Sequence, residues 1–318
     1  MTPQGGLPPP CMHLDARHPA PRKTQMTRIL SSLSQIATQH DVVLCDLWGC
    51  LHNGITAYPA AVAALQDYRR GGGYVILLTN SPRPKDSVAR QIAGFGVPED
   101  AWDDIVTSGD AAQFGLVSGA VGHKVYHIGA DKDDVFFNDI PVGLPQDSIT
   151  RVGFEEAEGI VVTGLPDLRP DESPEDFRGL LMLARERGMK LLCANPDIIV
   201  DRGDRREWCA GAIAQLYDQI GGQSLYFGKP HPPIYDLARR RLELAGRRIE
   251  EARILAIGDG PGTDVAGALA EGLECLFVTG GLAAAEFGPD VANPDPALLE
   301  AWLARKSLAP GFSIGLLR

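Results

Sequence analysis

Short apolar runs alternate with amphipathic stretches at both ends of the chain. Residues 42–45, 74–78 and 105–107 are apolar runs of strand length, and runs this short and this apolar are typical of strands buried on both faces. Residues 58–70 and 85–95 between them carry apolar side chains at helical spacing. This alternation predicts an α/β protein with a parallel sheet.

The same alternation returns near the end of the chain. Strands are predicted there over residues 225–227, 254–257 and 275–278, with helices over 232–245 and 263–271. A separate α/β section lies between the two blocks, with its own predicted strands and a helix near 176–187. The simplest organisation is therefore one domain inserted into another.

The pattern sets the expected domain boundaries. Residues 26–117 and 224–318 form a core of the Rossmann-like, parallel-sheet kind, and residues 118–223 form a large inserted α/β domain. Residues 1–25 are rich in proline and lack periodicity, so we expect a disordered leader. The periodic apolar positions of residues 27–38 predict a first helix.

Composition excludes several classes of function. The chain has 318 residues with a formal net charge of -11, which disfavours broad binding to nucleic acid or to an anionic membrane. A run of about 18 apolar residues, as a membrane span requires, is missing from the sequence. The six cysteines are scattered without a CxxC pair, which favours a reduced, cytoplasmic setting.

Reactive side chains follow four of the predicted strands. They are Asp46, Thr79 with Asn80, Lys229, and Asp259 with Asp264. Carboxylates can hold a hard cation such as Mg²⁺, and a lysine offsets their repulsion and can meet a phosphate. A hydroxyl and backbone N–H groups after a strand can bind phosphate oxygens. A carboxylate can also act as the nucleophile in phosphoryl transfer.

Each of these segments also has a simpler interpretation. Thr79 and Asn80 could form a turn or a helix cap, and Lys229 could be a surface lysine. Asp259 and Asp264, with glycines between them, could belong to a calcium-type loop or to an ordinary turn. Their joint occurrence at strand ends favours a combined metal and phosphate site, because ligands bind at the carboxyl edge of open α/β sheets.

The order of these motifs resembles the haloacid dehalogenase (HAD) superfamily. The motifs are Asp-x-x-Gly at Asp46, Thr79-Asn80, Gly228-Lys229-Pro230, and Gly-Asp-x-x-x-Thr-Asp from Gly258 to Asp264. The insertion carries Thr163-Gly164-Leu165-Pro166-Asp167 and Ala194-Asn195-Pro196-Asp197, which resemble the NagD-like phosphatases of subclass IIA. The resemblance implies a Rossmann-like core covered by a mobile cap.

The resemblance also implies a role for each matching residue. Asp46 would be the nucleophile, Thr79 and Asn80 would bind the phosphoryl group, and Lys229 would clamp its charge. Mg²⁺ would be held by Asp46, the carbonyl of Trp48 and Asp259, with Asp264 supporting nearby, and Asn195 to Asp197 would contact the leaving group. The substrate would be a small phosphorylated metabolite, and the subclass is consistent with a homodimer.

One position departs from the family pattern. Family phosphatases place a second aspartate two residues after the nucleophile, where it protonates the leaving alcohol and later activates water. Trp48 occupies that position and can do neither. His52 is the nearest titratable group of the same loop and is one candidate for that proton transfer.

Three functions remain open at this point. The first is a Mg²⁺-dependent phosphatase, impaired to the extent that the acid is missing. The second is a binding or regulatory protein that keeps the site without turnover, which Trp48 favours. The third is a carbon–halogen hydrolase, which also lacks the second aspartate. That chemistry needs no metal, however, whereas Asp259 and Asp264 are present.

Overall fold

The computed structural model describes residues 26–140, 149–168, 171–202 and 205–318. The expected leader, residues 1–25, lies outside the described residues. The described strands are, in chain order, β1 Arg28–Ile29, β2 Val42–Cys45, β3 Tyr74–Thr79, β4 Asp104–Thr107, β5 Lys124–Ile128, β6 Thr150–Arg151, β7 Gly159–Val162, β8 Lys190–Cys193, β9 Ile199–Arg202, β10 Arg205–Trp208, β11 Gln223–Tyr226, β12 Ile254–Gly258, β13 Glu274–Val278 and β14 Phe312–Ile314.

The described α-helices fall on both sides of these strands. They are α1 Pro59–Arg70, α2 Lys85–Gly94, α3 Ser108–Val117, α4 Val135–Asn138, α5 Arg178–Glu186, α6 Ala210–Gln219, α7 Pro232–Leu244, α8 Ala266–Ala270 and α9 Pro296–Lys306. A π-helical turn, Pro261–Val265, leads directly into α8. None of the described helices combines the length and the apolarity that crossing a bilayer requires.

The core is a seven-stranded parallel sheet in the order β1-β14-β13-β12-β2-β3-β4. Alternate residues of its central strand β2 enter different apolar layers, since Val43 and Cys45 pack with one layer and Val42 and Leu44 with the other. Helices α1 and α2 cover the first face, and α7, α8 and α9 cover the second. The expected parallel-sheet α/β class is confirmed.

A second sheet, in the order β11-β8-β7-β5-β6, is also parallel and forms the body of the cap. Helices α5 and α6 pack on one of its faces. Its other face packs against Ala112 and Leu116 of α3, so α3 lies between the two sheets. The antiparallel hairpin β9–β10 projects from the cap.

The pairing of β11 changes one expected boundary. Residues 224–318 were assigned to the core, but β11 pairs with β8 of the cap sheet along its whole length. The sequence shows only a short, partly apolar strand there and does not show which sheet it joins. Sheet pairing therefore extends the cap to Tyr226.

The helix expected over residues 27–38 is wrong. The chain forms the short strand β1, which pairs with β14, followed by two 3₁₀ turns at Leu33–Gln35 and Ala37–Gln39. Leu30, Leu33 and Ile36 are buried as the apolar periodicity requires. The backbone N–H groups of Arg28 and Leu30 donate to Gly311 and Ser313, so pairing with the last strand replaces the hydrogen bonds that a helix would make here.

Candidate active site

The carboxyl edge of the core sheet gathers the charged residues that the sequence singled out. Asp46 follows β2, Thr79 ends β3, and Asp259 follows β12, and all three are buried and line one cavity. These strands are neighbours in the sheet, so their ends meet. Lys229 reaches the same place from the segment after β11, on the chain's return from the cap.

Lys229 is the centre of a buried ion cluster. Its Nζ donates to Asp46 Oδ1 at 2.6 Å, to Asp264 Oδ1 at 2.7 Å and to the carbonyl of Leu78 at 2.9 Å. The three ammonium protons are thereby used in full. Asp264 also accepts from the backbone N–H of Gly260 at 3.0 Å, which ties the cluster to the loop after β12.

The cluster contains more negative than positive charge. Burial alone would lower the pKa of Lys229, but the charges of Asp264 and Asp46 outweigh it and hold that pKa well above its ordinary value. Burial, followed by the Asp264 charge, raises the pKa of Asp46, and Lys229 opposes the rise. Burial and Asp264 likewise raise the pKa of Asp259 to about 7. A cation in addition to Lys229 would relieve this repulsion.

The residues present fit Mg²⁺. Ligand atoms of Asp46, Cys50 and Asp259 lie within 4.8 Å of one another. Burial raises the pKa of the Cys50 thiol, which therefore stays neutral, so the two carboxylates are the suitable ligands for a cation that prefers oxygen. A Cβ at Gly49, where φ is +71°, or at Gly281 would collide with the Asp259 carboxylate, so both positions need glycine.

The Trp48 indole is packed into its own loop. Its ring makes an edge contact with His52 at 5.2 Å between centroids, and it lies so close to Gly54 that no side chain fits there. His52 itself is buried, makes a second edge contact with Phe95, and accepts a hydrogen bond from Gly54 N–H at 3.0 Å. Its ring is not part of the cavity lining, so the structure supports a packing role for His52 over the proton transfer for which it was one candidate.

Asn80 connects the core to the cap. Its side chain accepts from the backbone N–H of Lys229 at 2.7 Å and donates to the Lys229 carbonyl at 3.0 Å and to Asp197 Oδ1 at 2.8 Å. The resemblance assigned Asn80 to the phosphoryl group, but its amide is fully engaged in bracing Lys229 and Asp197. Any contact of Asn80 with a phosphoryl group would therefore use its backbone.

The cavity above these residues has a volume of about 330 Å³ and lies between core and cap. The cap contributes Asn195 and Asp197, as expected, and two charged contacts stand above the site. Lys132 pairs with Asp167 at 2.6 Å, and Arg83 approaches buried Asp133 at 3.9 Å. Thr163 donates to Asp133 Oδ2 at 3.2 Å.

Several lining residues were not predicted. Thr163 and Asp167 lay in a motif that the sequence analysis quoted, but Arg83 and Asp133 carried no spacing signal. The hairpin β9–β10 adds a further wall, formed by Ile199, Val200, Asp201, Glu207 and Trp208. The two strands carry no distinctive motif and no regular alternation of apolar and charged residues, so only the fold shows that they face the site.

Comparisons with known proteins agree with this arrangement. A model described as haloacid dehalogenase-like hydrolase matches residues 43–140, and a HAD-hydrolase-like model matches residues 226–301. A haloacid dehalogenase-like hydrolase from Brucella suis 1330 is 41% identical, with a TM-score of 0.77 over 90% of this chain and 99% of that one.

A curated relative with an assigned substrate is more distant. The D-glycerol 3-phosphate phosphatase of Mycobacterium tuberculosis is 28% identical over 255 residues, which cover 79% of this chain and 66% of that protein. The chain therefore spans just under two thirds of that relative. A glycerol phosphate phosphatase structure from the same organism, in complex with magnesium, has 26% identity and a TM-score of 0.59, covering 79% of this chain and 70% of that one.

The fold and the strand-end site define a hydrolase with a parallel-sheet core and an inserted cap. The chain belongs to the haloacid dehalogenase-like hydrolase family, with the cap between the second and third motifs that marks the NagD-like subclass. The expected HAD-like hydrolase class is confirmed. The mycobacterial relative is named as a phosphatase, and the mycobacterial glycerol phosphate phosphatase structure contains magnesium.

Proposed function

We propose that this protein is a Mg²⁺-dependent phosphatase of a small organic phosphate and that Asp46 is its nucleophile. The buried contact of Lys229 with both Asp46 and Asp264 beneath the cavity supports this most strongly. The ammonium opposes the rise that burial causes in the pKa of Asp46, and its hydrogen bond fixes the position of that carboxyl group beside the cavity. An ionised carboxylate in a closed site is the group that phosphoryl transfer through an aspartyl-phosphate requires.

The residues divide the work as follows. Asp46 attacks phosphorus, the bond to the leaving oxygen breaks, and water later hydrolyses the aspartyl-phosphate. The Thr79 hydroxyl and the Asn80 backbone hold phosphoryl oxygens, and Lys229 balances their charge. Asp46, the carbonyl of Trp48 and Asp259 would hold Mg²⁺, with Asp264 nearby. The bound metal supplies neutralisation of the phosphoryl charge.

The cavity favours a small leaving group without a second negative charge. Arg83 and Lys132, the cations above the site, already face Asp133 and Asp167. A second phosphate or carboxylate would have to displace one of these carboxylates. Because the mycobacterial relative is named for D-glycerol 3-phosphate, a short hydroxylated phosphate is the first substrate to test. The expected homodimer and cytoplasmic location stay predictions.

The alternative is a protein that binds a phosphorylated ligand with little or no turnover. Trp48 favours it, because the loop offers no carboxyl group two residues after Asp46. General acid–base assistance is typically worth about 10²- to 10⁴-fold in rate. If no other group replaces the missing general acid, simple alkyl phosphates would be hydrolysed far more slowly than aryl phosphates.

The two functions are separated by 4-nitrophenyl phosphate hydrolysis measured with Mg²⁺ and with EDTA. We expect Mg²⁺-dependent turnover that Asp46→Asn lowers by at least ~10⁴-fold. Asp41→Asn is the matched control, because Asp41 lies at the opposite end of β2 and pairs with Arg253. Phosphate-analogue binding without Mg²⁺-dependent turnover in the wild type would instead support the binding protein.

A further inference from the structure

Among the described cap residues that line the cavity, Asp197 is a carboxyl group with no lysine or arginine within salt-bridge distance. Asp197 follows β8 on the segment that leads from the cap sheet into the cavity, and it is partly buried there. Its Oδ1 accepts from Asn80 Nδ2 at 2.8 Å, and its backbone N–H donates to Asn195 Oδ1 at 3.0 Å. Oδ2 has no hydrogen-bond partner within residues 26–140, 149–168, 171–202 and 205–318.

The other acidic side chains that the cap brings to the cavity are already occupied. Their partners are Arg83 for Asp133, Lys132 for Asp167, Arg206 for Asp201 and Arg205 for Glu207. A neighbouring guanidinium or ammonium favours the ionised form of a carboxyl group and so makes it a poorer proton donor. Burial still raises the pKa of Asp133, but both of its carboxyl oxygens are engaged, one facing Arg83 and the other accepting from Thr163. Asp197 is the exception among the described cap carboxylates that line the cavity.

We propose that Asp197 is the general acid and base of this enzyme and replaces the carboxylate that family phosphatases carry at the position of Trp48. The inference rests on the proposed phosphatase function. Asn80 holds one carboxyl oxygen and leaves the other available to the substrate. The same amide braces the backbone of Lys229, so the position of Asp197 is fixed relative to the Asp46–Lys229 pair.

Asp197 alone can carry out both proton transfers of the proposed reaction. When Asp46 attacks phosphorus, the bond to the leaving oxygen breaks and that oxygen takes the proton of Asp197. The product alcohol leaves, and Asp197 is then a carboxylate. Water attacks the aspartyl-phosphate and gives its proton to Asp197, which releases inorganic phosphate and restores Asp46 and the protonated acid.

The surroundings of Asp197 suit both halves of this cycle. Burial raises its pKa to about 6, while the charge of Lys229 and the hydrogen bond from Asn80 oppose the rise. The other groups that face it are the carboxylates of Asp264 and Asp259 and the neutral thiols of Cys193 and Cys209. A carboxyl group with this pKa can give and take a proton close to neutral pH.

Asp197→Asn tests the proposal, because an amide keeps the contact with Asn80 but carries no transferable proton. We expect kcat/KM for glycerol 3-phosphate to fall about 10²- to 10⁴-fold. With 4-nitrophenyl phosphate, whose leaving group needs no proton, the first step should persist as a burst of about one nitrophenolate per active site, followed by slow turnover. Asp134→Asn is the matched control, since Asp134 is a half-exposed cap aspartate paired with Arg151, and the activity on both substrates should be unchanged.

Two further readouts separate catalysis from structure. In the wild type, kcat/KM for the alkyl substrate should fall as pH rises above about 6, and the Asp197→Asn variant should lack this limb. Adding Trp48→Asp to Asp197→Asn should restore part of the alkyl activity by supplying a carboxyl group at the family position. Thermal melting checks the fold, and Asp197→Ser replaces Asp197→Asn if that variant does not fold.

The results separate a failure of the Asp197 role from a failure of the proposed phosphatase function. The role of Asp197 would be overturned if Asp197→Asn reduced the aryl burst as much as it reduced kcat/KM for the alkyl substrate. An unchanged kcat/KM for the alkyl substrate in this variant would also overturn it. An unchanged pH limb in Asp197→Asn would do the same. A wild-type protein that hydrolyses neither ester with Mg²⁺ would overturn the proposed phosphatase, and the inference with it.

Discussion

The core and the cap are both parallel α/β sheets, yet they hold charge in opposite ways. At the core edge, Lys229 is 3% exposed and contacts two buried carboxylates. Above it, the cap's Lys132 is 49% exposed and pairs with Asp167, which is 61% exposed. Buried charges keep one geometry because separating them is costly, whereas exposed pairs exchange readily with water. The buried Lys229 contacts are therefore suited to fixed chemistry, and the exposed Lys132–Asp167 pair is suited to adjustable recognition.

The largest test of this contrast is a matched pair of lysine substitutions. Lys229→Met leaves Asp46 and Asp264 buried without their cation, which should lower the free energy of unfolding by about 3–5 kcal/mol. Lys132→Met breaks an exposed pair and should cost at most about 1 kcal/mol. Urea denaturation at pH 7 with EDTA measures both. Similar costs for the two variants would contradict the contrast.

Removing a proposed metal ligand should act on the core alone. Asp259→Asn should weaken Mg²⁺ binding by more than ~10²-fold, because one of two converging carboxylates loses its charge. Isothermal titration calorimetry measures the affinity, and Asp167→Asn, a cap carboxylate of the same cavity, serves as the comparison. Unchanged Mg²⁺ affinity in Asp259→Asn would count against the site.

His52 distinguishes packing from proton transfer within the core loop. His52→Ala removes a buried ring that contacts Trp48 and Phe95, so we expect a loss of about 2–3 kcal/mol in unfolding free energy. The ratio of alkyl to aryl phosphate turnover should not change. A drop in that ratio for the folded variant would restore His52 as the proton donor.

The smallest effect is expected at His127 in the cap, on the pH dependence of the free energy of unfolding. Burial lowers its pKa to about 4 from an ordinary 6.5, with Arg151 adding to the shift and Asp134 opposing it. The unfolded chain then binds the proton more readily, so stability is complete above about pH 6.5 and is lost as pH falls toward 4. His127 should account for about 1–2 kcal/mol of the loss between pH 7 and pH 5.

Chemical denaturation at the two pH values checks this. His127→Gln should reduce the difference in unfolding free energy between pH 7 and pH 5, whereas His123→Gln, at an exposed position of the same region, should leave it unchanged. Equal pH dependence in the wild type and in His127→Gln would show that other groups carry the effect.

The same contrast explains what could be predicted from sequence. Asp46 and Asp259 follow apolar runs that can only be buried strands, and parallel pairing then brings their ends together. The cap contacts arise across long separations, such as Arg83 with Asp133 or Asn80 with Asp197, and no local pattern marks them. The sheet to which β11 belongs is likewise decided by pairing partners and not by its own residues.

The chain leaves the core after α3 and returns at Phe227, and the two crossings lie side by side. Gly115 of α3 packs so tightly on the Phe227 ring that a methyl group there would collide with it. The two ends of the insertion therefore lie close together, at Gly115 and Phe227. Closing a loop across a fixed gap costs only about 0.6 kcal/mol more for each doubling of its length. A longer, shorter or different cap should therefore change the stability of the core sheet little.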